Sequence, residues 1–196
     1  PDRKEEELLS IIPRDRRKTY NMKKIIDLIC DTGSFFEISP FYGKSRITGF
    51  ARFNGFSAGI VAKNPRFLGG STDVTGGSKV NRFLQVCDIF NIPVVMLADE
   101  PGFLVGLESE KQGIERAGAR LMSTICLSKM PIFTVVISKV YGVAGQCSHR
   151  PTGMFKRICW PSSNWGSMHI SGGVTAAYKS EIEKASDPEE KKIEIE

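Results

Sequence analysis

The sequence predicts a single α/β domain built around a mixed sheet in which several strands run parallel. Helical and strand-like segments alternate after residue 78, and strands that are joined through helices run parallel with right-handed crossovers. The strand-like runs at 92–99 and 130–138 are apolar throughout, which is typical of parallel strands buried on both faces. Two further strand-like runs flank Asn54-Gly55, a pair that favours an antiparallel hairpin because both residues tolerate a positive φ.

The first third of the chain contains one helix and the hairpin. Residues 21–30 carry apolar side chains at helical spacing, and Gly33 is placed to end this helix. Its apolar positions are Met22, Ile25, Ile26 and Ile29. The hairpin occupies residues 46–63, and the glycine-rich, polar residues 64–77 are interpreted as a loop.

The rest of the chain adds two long helices, a loop and a charged tail. Residues 78–90 and 114–127 each place apolar side chains on one helical face. The positions predicted to face the core are Val80, Phe83, Leu84 and Cys87 in the first helix and Ile114, Gly118, Leu121 and Ile125 in the second. Residues 100–113 are interpreted as a loop. The tail at 179–196 predicts one or two solvated helices, the second of which starts near residue 187.

The composition limits the classes of protein to consider. Apolar residues make up 41% and charged residues 25% of the 196 residues, which is ordinary for a soluble globular protein. No apolar run has the length of a membrane-spanning helix, and the charged N-terminus lacks the apolar region of a signal peptide. Five cysteines fit no disulfide framework, which favours a reducing compartment. The chain starts without Met, so we expect it to be a piece of a longer polypeptide.

The sequence predicts neither nucleic-acid binding nor a metal site. The net charge of +5 is modest, and the basic run at residues 14–18 is more typical of a solvated surface, although it is compatible with a phosphorylated ligand. The two histidines, His149 and His169, have no second ligand at zinc spacing.

Two places could support catalysis by side chains. Asp99 and Glu100 end a strand at the side of the sheet where ligands bind, and either an acid/base pair or capping and loop hydrogen bonding would explain them. Cys147 could be a nucleophile, but only His149 lies near it in sequence to lower the pKa of its thiol. The chain contains no GxSxG motif, P-loop or dinucleotide-binding motif.

The segment KVYGVAGQCSH, residues 139–149, suggests chemistry by the backbone instead. It follows an apolar strand, and its small residues turn the chain into a helix whose first N–H groups lack intrahelical partners. Each such N–H, aimed at an oxygen that gains negative charge, lowers a barrier by roughly 2.7–4 kcal/mol. A tight strand–helix junction whose glycines only permit packing explains the same spacing, and both interpretations stay open at this point.

Five motifs occur in a fixed order between residues 10 and 178. They are ITGFARFNGFSAGIVAKNP, the run from STD to PGFLVG, GIERAGARL, the run from TVVI to YG, and WPS. This order resembles the C-terminal half of the carboxyltransferase (beta) subunit of biotin-dependent acyl-CoA carboxylases of the propionyl-CoA carboxylase type. The resemblance implies a crotonase-like (ClpP-like) β-β-α superhelix in a single domain, residues 1–196, with an N-terminal extension at 1–20 and a charged helical tail at 179–196.

The resemblance also implies an activity and its partners. Such subunits transfer a carboxyl group from carboxybiotin, held on a carrier protein, to the α-carbon of an acyl-CoA. Biotin itself acts as the base, so the protein supplies N–H donors and a dry site. The implied partners are an N-terminal carboxyltransferase domain that binds the acyl-CoA, a biotin carboxylase and biotin carboxyl carrier subunit, and further copies in a dimer or hexamer. This domain alone would then hold half of each active site.

By position, the resemblance assigns the oxyanion donors to the backbone N–H groups of Val143 and Ala144, with Gly142 forming the turn that exposes them. The family pattern has glycine where Val143 stands. Because Val143 is β-branched and does not readily adopt a positive φ, its N–H must be offered from an ordinary conformation.

The resemblance assigns five further residues to substrate and biotin binding. Gly102 and Phe103 are expected to line the biotin channel, and Gly69 and Gly70 lie in a second loop that faces the site. Gln146 falls where a side chain influences acyl size, and it replaces the acidic residue of the propionyl-type pattern. The identity of the acyl chain therefore stays open.

Two alternatives to a carboxylase remain at this point. A biotin-dependent acyl-CoA decarboxylase would use the same groups in reverse, and a non-catalytic crotonase-fold assembly module is the alternative that Val143 favours. Trp160 and Trp165 are predicted to be packing or subunit-interface residues. No metal, nucleic acid or membrane is implied as a partner, and the expected compartment is the cytoplasm, or the mitochondrial matrix in a eukaryote.

Overall fold

The structure is a computed structural model that describes residues 3–15, 18–150 and 152–195. Its strands are β1 Phe36–Ile38, β2 Arg46–Phe53, β3 Phe56–Lys63, β4 Val94–Glu100, β5 Ile132–Tyr141, β6 Phe155–Cys159 and β7 Asn164–Gly166. Its α-helices are α1 Met22–Ile29, α2 Val74–Ile89, α3 Leu107–Lys111, α4 Ile114–Leu127, α5 Gly142–Gln146, α6 Ile170–Ala177, α7 Lys179–Lys184 and α8 Pro188–Ile195. Short 3-10 helices span Glu6–Leu9 and Leu68–Gly70.

The strands form one mixed sheet in the order β1 to β6, with β7 beside the end of β5. The first three strands are antiparallel, and β3, β4, β5 and β6 are parallel neighbours. Asn54 and Gly55 connect β2 to β3 with φ values of 51° and 83°, as the hairpin requires. The predictions of a mixed sheet and of this hairpin are confirmed.

Two apolar layers cover the sheet. The predicted inner faces of α2 and α4 are confirmed, because their apolar side chains pack with β4 and β5 in one cluster. The other cluster places α1 against β2, β3 and β4, and the half-buried Trp160 packs against it. Trp160 is therefore a packing residue, whereas Trp165 is 55% exposed, with the guanidinium of Arg157 4.0 Å from its ring centre.

Three predicted boundaries are wrong, and the early start of one helix has a local cause. Helix α1 ends at Ile29, and Gly33 instead takes φ 67° in the following turn. The loop predicted for 64–77 ends at Asp73, whose carboxylate accepts a hydrogen bond from the Gly76 N–H at 3.2 Å and so starts α2 earlier. The loop predicted for 100–113 contains the short helix α3.

The charged tail is helical, and α8 starts at Pro188 as the sequence predicts. None of the helices in the described part of the chain is both long and apolar enough to cross a membrane.

Candidate active site

Strands β4 and β5 bring the two predicted loops to the same edge of the sheet. They are parallel neighbours, and Glu100 at the end of β4 pairs with Val140 near the end of β5. The chain then continues into residues 100–106 on one side and into α5 on the other. Ligands bind at this carboxyl edge in open parallel sheets, so it is the candidate site.

The turn from β5 into α5 depends on Gly142. Tyr141 is extended, and Gly142 takes φ 58°, a left-handed conformation that bulkier residues rarely adopt. A Cβ on Gly142 would lie 3.2 Å from the Ser167 carbonyl oxygen. Val143 does not have a positive φ. The sharp conformation therefore falls on Gly142, and Val143 needs only an ordinary one.

The N–H groups of Val143 and Ala144 lie in the first turn of α5, where the helix supplies no acceptor. Among the residues described by the structure, neither N–H donates to a side chain or to a carbonyl outside α5. The Val143 side chain is 65% exposed, whereas Ala144 is buried. This first turn thus presents two neighbouring donors at the edge of the sheet.

Side chains of β5 and of the turn that follows α5 pack behind this helix. The Ser148 hydroxyl donates to the Gly145 carbonyl at 2.8 Å, and the Thr134 hydroxyl donates to the Ser148 carbonyl at 2.9 Å. A Cβ on Gly145 would lie 2.7 Å from Val140 Cγ1, so the helix packs closely on β5. These contacts fix the direction of the first turn.

The two loops that the sequence assigned to biotin are joined by a short ladder. The Thr72 N–H donates to the Gly102 carbonyl at 3.0 Å, and the Leu104 N–H donates to the Thr72 carbonyl at 2.9 Å. The structure therefore brings Gly69 and Gly70, which directly precede this ladder, close to the 102–104 segment.

Gly102 and Phe103 differ in their surroundings. Gly102 has φ 145°, and a Cβ there would meet no atom within 4 Å. The Phe103 ring packs against α4, where a Cβ on Gly118 would lie 2.8 Å from it. The Phe103 side chain thus anchors the loop to the core, and the open position of this loop is Gly102.

A cavity of about 410 Å³ opens at the same edge. Its wall includes Gly69, Asp99, Lys139 and two residues of the basic run, Arg14 and Lys18. The other two basic residues of that run, Arg16 and Arg17, lie outside the described residues. The cavity therefore places Gly69 beside both positive charge and Asp99, whereas the other predicted site residues, which include Gly102, Val143 and Ala144, do not line it.

Asp99 is engaged in loop hydrogen bonding. Its carboxylate accepts hydrogen bonds from the Tyr20 hydroxyl at 2.7 Å and from the Lys139 N–H at 3.1 Å. Burial and the charge of Asp99 raise the pKa of Tyr20. These bonds favour the structural interpretation of Asp99 over a role as acid or base.

A buried charge cluster, which consists of Arg46, Lys63, Thr72 and Glu100, lies directly beneath the two loops. Lys63 Nζ lies 2.5 Å from Glu100 Oε1, and Arg46 Nη2 lies 2.6 Å from Glu100 Oε2. Burial, followed by the charge of Arg46, lowers the pKa of Lys63 to about 7. A carboxylate enclosed by two cations is not accessible to a substrate, so the cluster argues against Glu100 as an acid or base.

This cluster was not predicted from the sequence, although one signal was present. Arg46 and Lys63 are the first and last residues of β2 and β3, and they pair directly across the hairpin. Like charges in that position destabilise a sheet unless an anion lies between them. The pair was thus compatible with an anion at this end of the hairpin, but only the fold identifies it as the buried Glu100.

The nucleophile alternative has no chemical support in the structure. Burial raises the pKa of the Cys147 thiol to about 11, so it is protonated near neutral pH. His149 packs edge-on against Phe155, and burial together with the charge of Arg157 lowers its pKa.

Gln146 lies exposed on α5, beside the donor turn.

Two further features concern other ligands. Within the described ranges, no three His, Cys, Asp or Glu side chains form a group that could hold a metal ion. A larger cavity of about 770 Å³ lies between α2, α4 and the hairpin strands, and Arg82, Arg116 and Arg120 line it. None of the predicted site residues contributes to that cavity.

Known proteins match this chain over its whole length. The carboxyl transferase domain family matches residues 1–196. The chain is 36% identical to the carboxyltransferase subunit of propionyl-CoA carboxylase from Haloferax mediterranei over 100% of the chain and 38% of that relative. It is 37% identical to the methylmalonyl-CoA decarboxylase subunit alpha from Veillonella parvula over 94% of the chain and 36% of that relative.

A solved structure is similar over almost the same length. It is the hexameric transcarboxylase 12S with methylmalonyl-coenzyme A and methylmalonic acid bound, at a TM-score of 0.88 and 34% identity over 96% of this chain and 36% of that one. The chain thus spans little more than a third of the length of the relatives that it matches.

Proposed function

This chain belongs to the carboxyl transferase domain family, and we propose that it forms the biotin side of an active site that moves a carboxyl group from carboxybiotin to the α-carbon of an acyl-CoA. The observation that carries the proposal is the pair of N–H donors of Val143 and Ala144, at the edge of the sheet where ligands bind. A relative named as a propionyl-CoA carboxylase subunit supports the reaction type.

The chain corresponds to the C-terminal carboxyltransferase domain of a longer subunit. The motif order supports the C-terminal position, and the share of each relative that the chain covers, little more than a third, supports a longer subunit. The fold is then the crotonase-like superhelix, to which the ladder of parallel strands β3 to β6 would belong. The cytoplasm or the mitochondrial matrix remains the predicted compartment.

The residues present fit the ureido group of biotin. That group is neutral and planar, and its oxygen gains negative charge when the carboxyl group leaves, so it requires hydrogen-bond donors more than a counter-ion. The first turn of α5 offers two such donors, and the backbone at Gly102 is open, with no atom within 4 Å of an added Cβ. When bound, biotin would carry the carboxyl group and then accept the α-proton of the acyl-CoA.

The residues of this chain would therefore position and stabilise rather than titrate. Val143 and Ala144 donate to the ureido oxygen, and Gly142 provides the turn that aims them. Each donor is expected to lower the barrier to carboxyl transfer by roughly 2.7–4 kcal/mol. Gln146, exposed one turn further along, would influence which acyl size the site accepts.

The second half of the site requires partners. We expect an N-terminal carboxyltransferase domain to bind the acyl-CoA, a biotin carboxylase with its carrier to deliver carboxybiotin, and copies of the subunit to assemble as a dimer or hexamer. The hexamer of the transcarboxylase 12S structure supports the last expectation.

The experiment is a transfer assay on the full-length subunit with its biotin carboxylase partner. Incorporation of labelled bicarbonate into acetyl-, propionyl- or butyryl-CoA is expected, and omission of the biotin carrier should abolish it. No transfer to any of the three acyl-CoA substrates would contradict the proposal.

A decarboxylase is the second candidate, because one relative is named as a subunit of methylmalonyl-CoA decarboxylase. Microscopic reversibility gives both enzymes the same groups. A complex isolated with a membrane-bound sodium pump, together with release of CO₂ from malonyl- or methylmalonyl-CoA, would favour it. The non-catalytic module is tested by titration of the full-length protein with free biotin, which such a module would not bind.

A further inference from the structure

The buried charge cluster is connected to both loops of the candidate site. The three protons of the Lys63 ammonium group are all used: they point to the Gly70 carbonyl at 2.7 Å, the Thr72 hydroxyl at 2.5 Å and Glu100 at 2.5 Å. One of these acceptors, Gly70, is a predicted biotin-binding residue.

Thr72 is the residue at which the two loops meet. Its hydroxyl accepts hydrogen bonds from Lys63 at 2.5 Å and from Arg46 at 2.6 Å, and it donates to Glu100 at 3.0 Å. This uses its two lone pairs and its one proton. Its main chain pairs with Gly102 and Leu104 at the same time.

This arrangement leaves the loops little freedom relative to each other. Thr72, Lys63 and Glu100 are all at most 2% exposed, so water cannot replace a lost bond at low cost. A shift of either loop would break a bond to a buried charge. The hydroxyl of Thr72 therefore transmits the position of the cluster to the backbone of residues 102–104.

We infer that Lys63 and Thr72 are positioning residues for the biotin side of the site, which set the spacing between the Gly69-Gly70 loop and the Gly102 loop. The inference rests on the proposed function. It concerns positioning, because neither side chain is open to a ligand, and it predicts an effect on biotin that acyl-CoA does not share.

The test compares Thr72→Val with Thr72→Ser in the full-length subunit with its partners. Valine has the shape of threonine without the hydroxyl, whereas serine keeps the hydroxyl. Thr48→Val is the matched control, because the buried Thr48 hydroxyl donates to the Ile38 carbonyl at 3.2 Å on β2, outside the cluster.

Two measurements are made on each variant. The first is hydrogen exchange at the Leu104 amide, which reports the loop ladder without any need for activity. The second is the pair of KM values for free biotin as carboxyl acceptor and for the malonyl-type acyl-CoA that donates the carboxyl group. Thr72→Val should speed Leu104 exchange and raise KM for biotin by about 10- to 100-fold, since misplaced groups cost rate and binding on this scale. KM for the carboxyl-donating acyl-CoA should not change.

Thr72→Ser should restore the biotin KM, and Thr48→Val should leave it unchanged. Lys63→Met should act as Thr72→Val does. Equal changes in both KM values in Thr72→Val would overturn the inference. Faster Leu104 exchange with no change in either KM value would also overturn it, because the cluster would then only stabilise the loops. A wild-type protein that neither binds biotin nor transfers carboxyl groups would overturn the proposed function first, and the inference with it.

Discussion

Arg46 and Lys63 lie directly opposite one another on β2 and β3, and both donate hydrogen bonds to the carboxylate of Glu100. Two buried cations side by side would repel each other, so the strand pairing at this end of the hairpin depends on Glu100. The site loops lie directly above this arrangement, which links the stability of the sheet to the geometry of the candidate site.

Replacement of Glu100 by Gln should destabilise the chain strongly. The variant leaves two buried cations without their anion, and loss of one member of a buried ion pair costs about 3–5 kcal/mol. Urea unfolding measures the loss. Glu108→Gln is the control, because Glu108 pairs with Lys111 at 3.2 Å with both side chains exposed, and such a surface pair contributes less than about 1 kcal/mol. Equal losses in the two variants would show that the cluster stabilises no more than a surface pair.

The stability of the chain should rise with pH because of Lys63. Its pKa is about 7 in the folded state and 10.5 in the unfolded state, so the unfolded chain binds the extra proton between these values. Folding therefore becomes more favourable as the pH rises from 7. Arg46, Glu100 and Asp99 are the charges that act on Lys63.

The measurement is the free energy of unfolding between pH 7 and 8.5. This range stays below the ordinary thiol pKa of 9.0, so that titration of the cysteines contributes little to the slope. In the Lys63→Met variant, the free energy of unfolding should rise less over this pH range, because the contribution of Lys63 is removed. Identical slopes for the wild type and Lys63→Met would refute the assignment.

Gly142→Ala should reduce both stability and transfer. A left-handed conformation costs an alanine about 1–2 kcal/mol, and the new Cβ would crowd the Ser167 carbonyl. The strain would also turn the Val143 and Ala144 N–H groups away from the site. Gly172→Ala in α6 is the control, because nothing lies within 4 Å of its added Cβ, and it should retain full transfer. Unimpaired transfer by Gly142→Ala would mean that the turn does not aim the donors.

Cys147→Ala should retain carboxyl transfer, because burial keeps its thiol protonated and no covalent step uses it. In alkylation of the native protein, the exposed Cys126 and Cys159 should react before Cys147. Mass spectrometry of the alkylated peptides gives the order. A dead Cys147→Ala variant with a native fold would restore the nucleophile alternative.

Periodicity in the sequence was sufficient for most of the fold. The inner residues of α2 and α4 and the turn at Asn54-Gly55 could be predicted, because apolar spacing and turn chemistry are local properties. The start of α2 could not be predicted. Gly76 and Gly77 suggest a loop, but the carboxylate of Asp73 accepts a hydrogen bond from the Gly76 N–H and so begins the helix before them.

The candidate site was only partly predictable, for a similar reason. Gly142 and the two glycine loops could be assigned from motif order. The cluster around Glu100 could not be, because it joins residues from three strands and a loop that are far apart in sequence. A lysine at the end of a strand also normally reaches solvent, and only the fold determines that Lys63 is enclosed.

The most direct test of the account is carboxyl transfer by Ala144→Pro in the full-length holoenzyme, with Ala144→Ser as the matched control. Proline removes the Ala144 N–H, which α5 itself does not use, whereas serine keeps it. With folding verified by circular dichroism, Ala144→Pro should lower kcat by about 10²- to 10³-fold, and Ala144→Ser should remain close to the wild type. A folded Ala144→Pro enzyme with wild-type kcat would contradict the claim that backbone N–H groups of α5 stabilise the developing oxyanion.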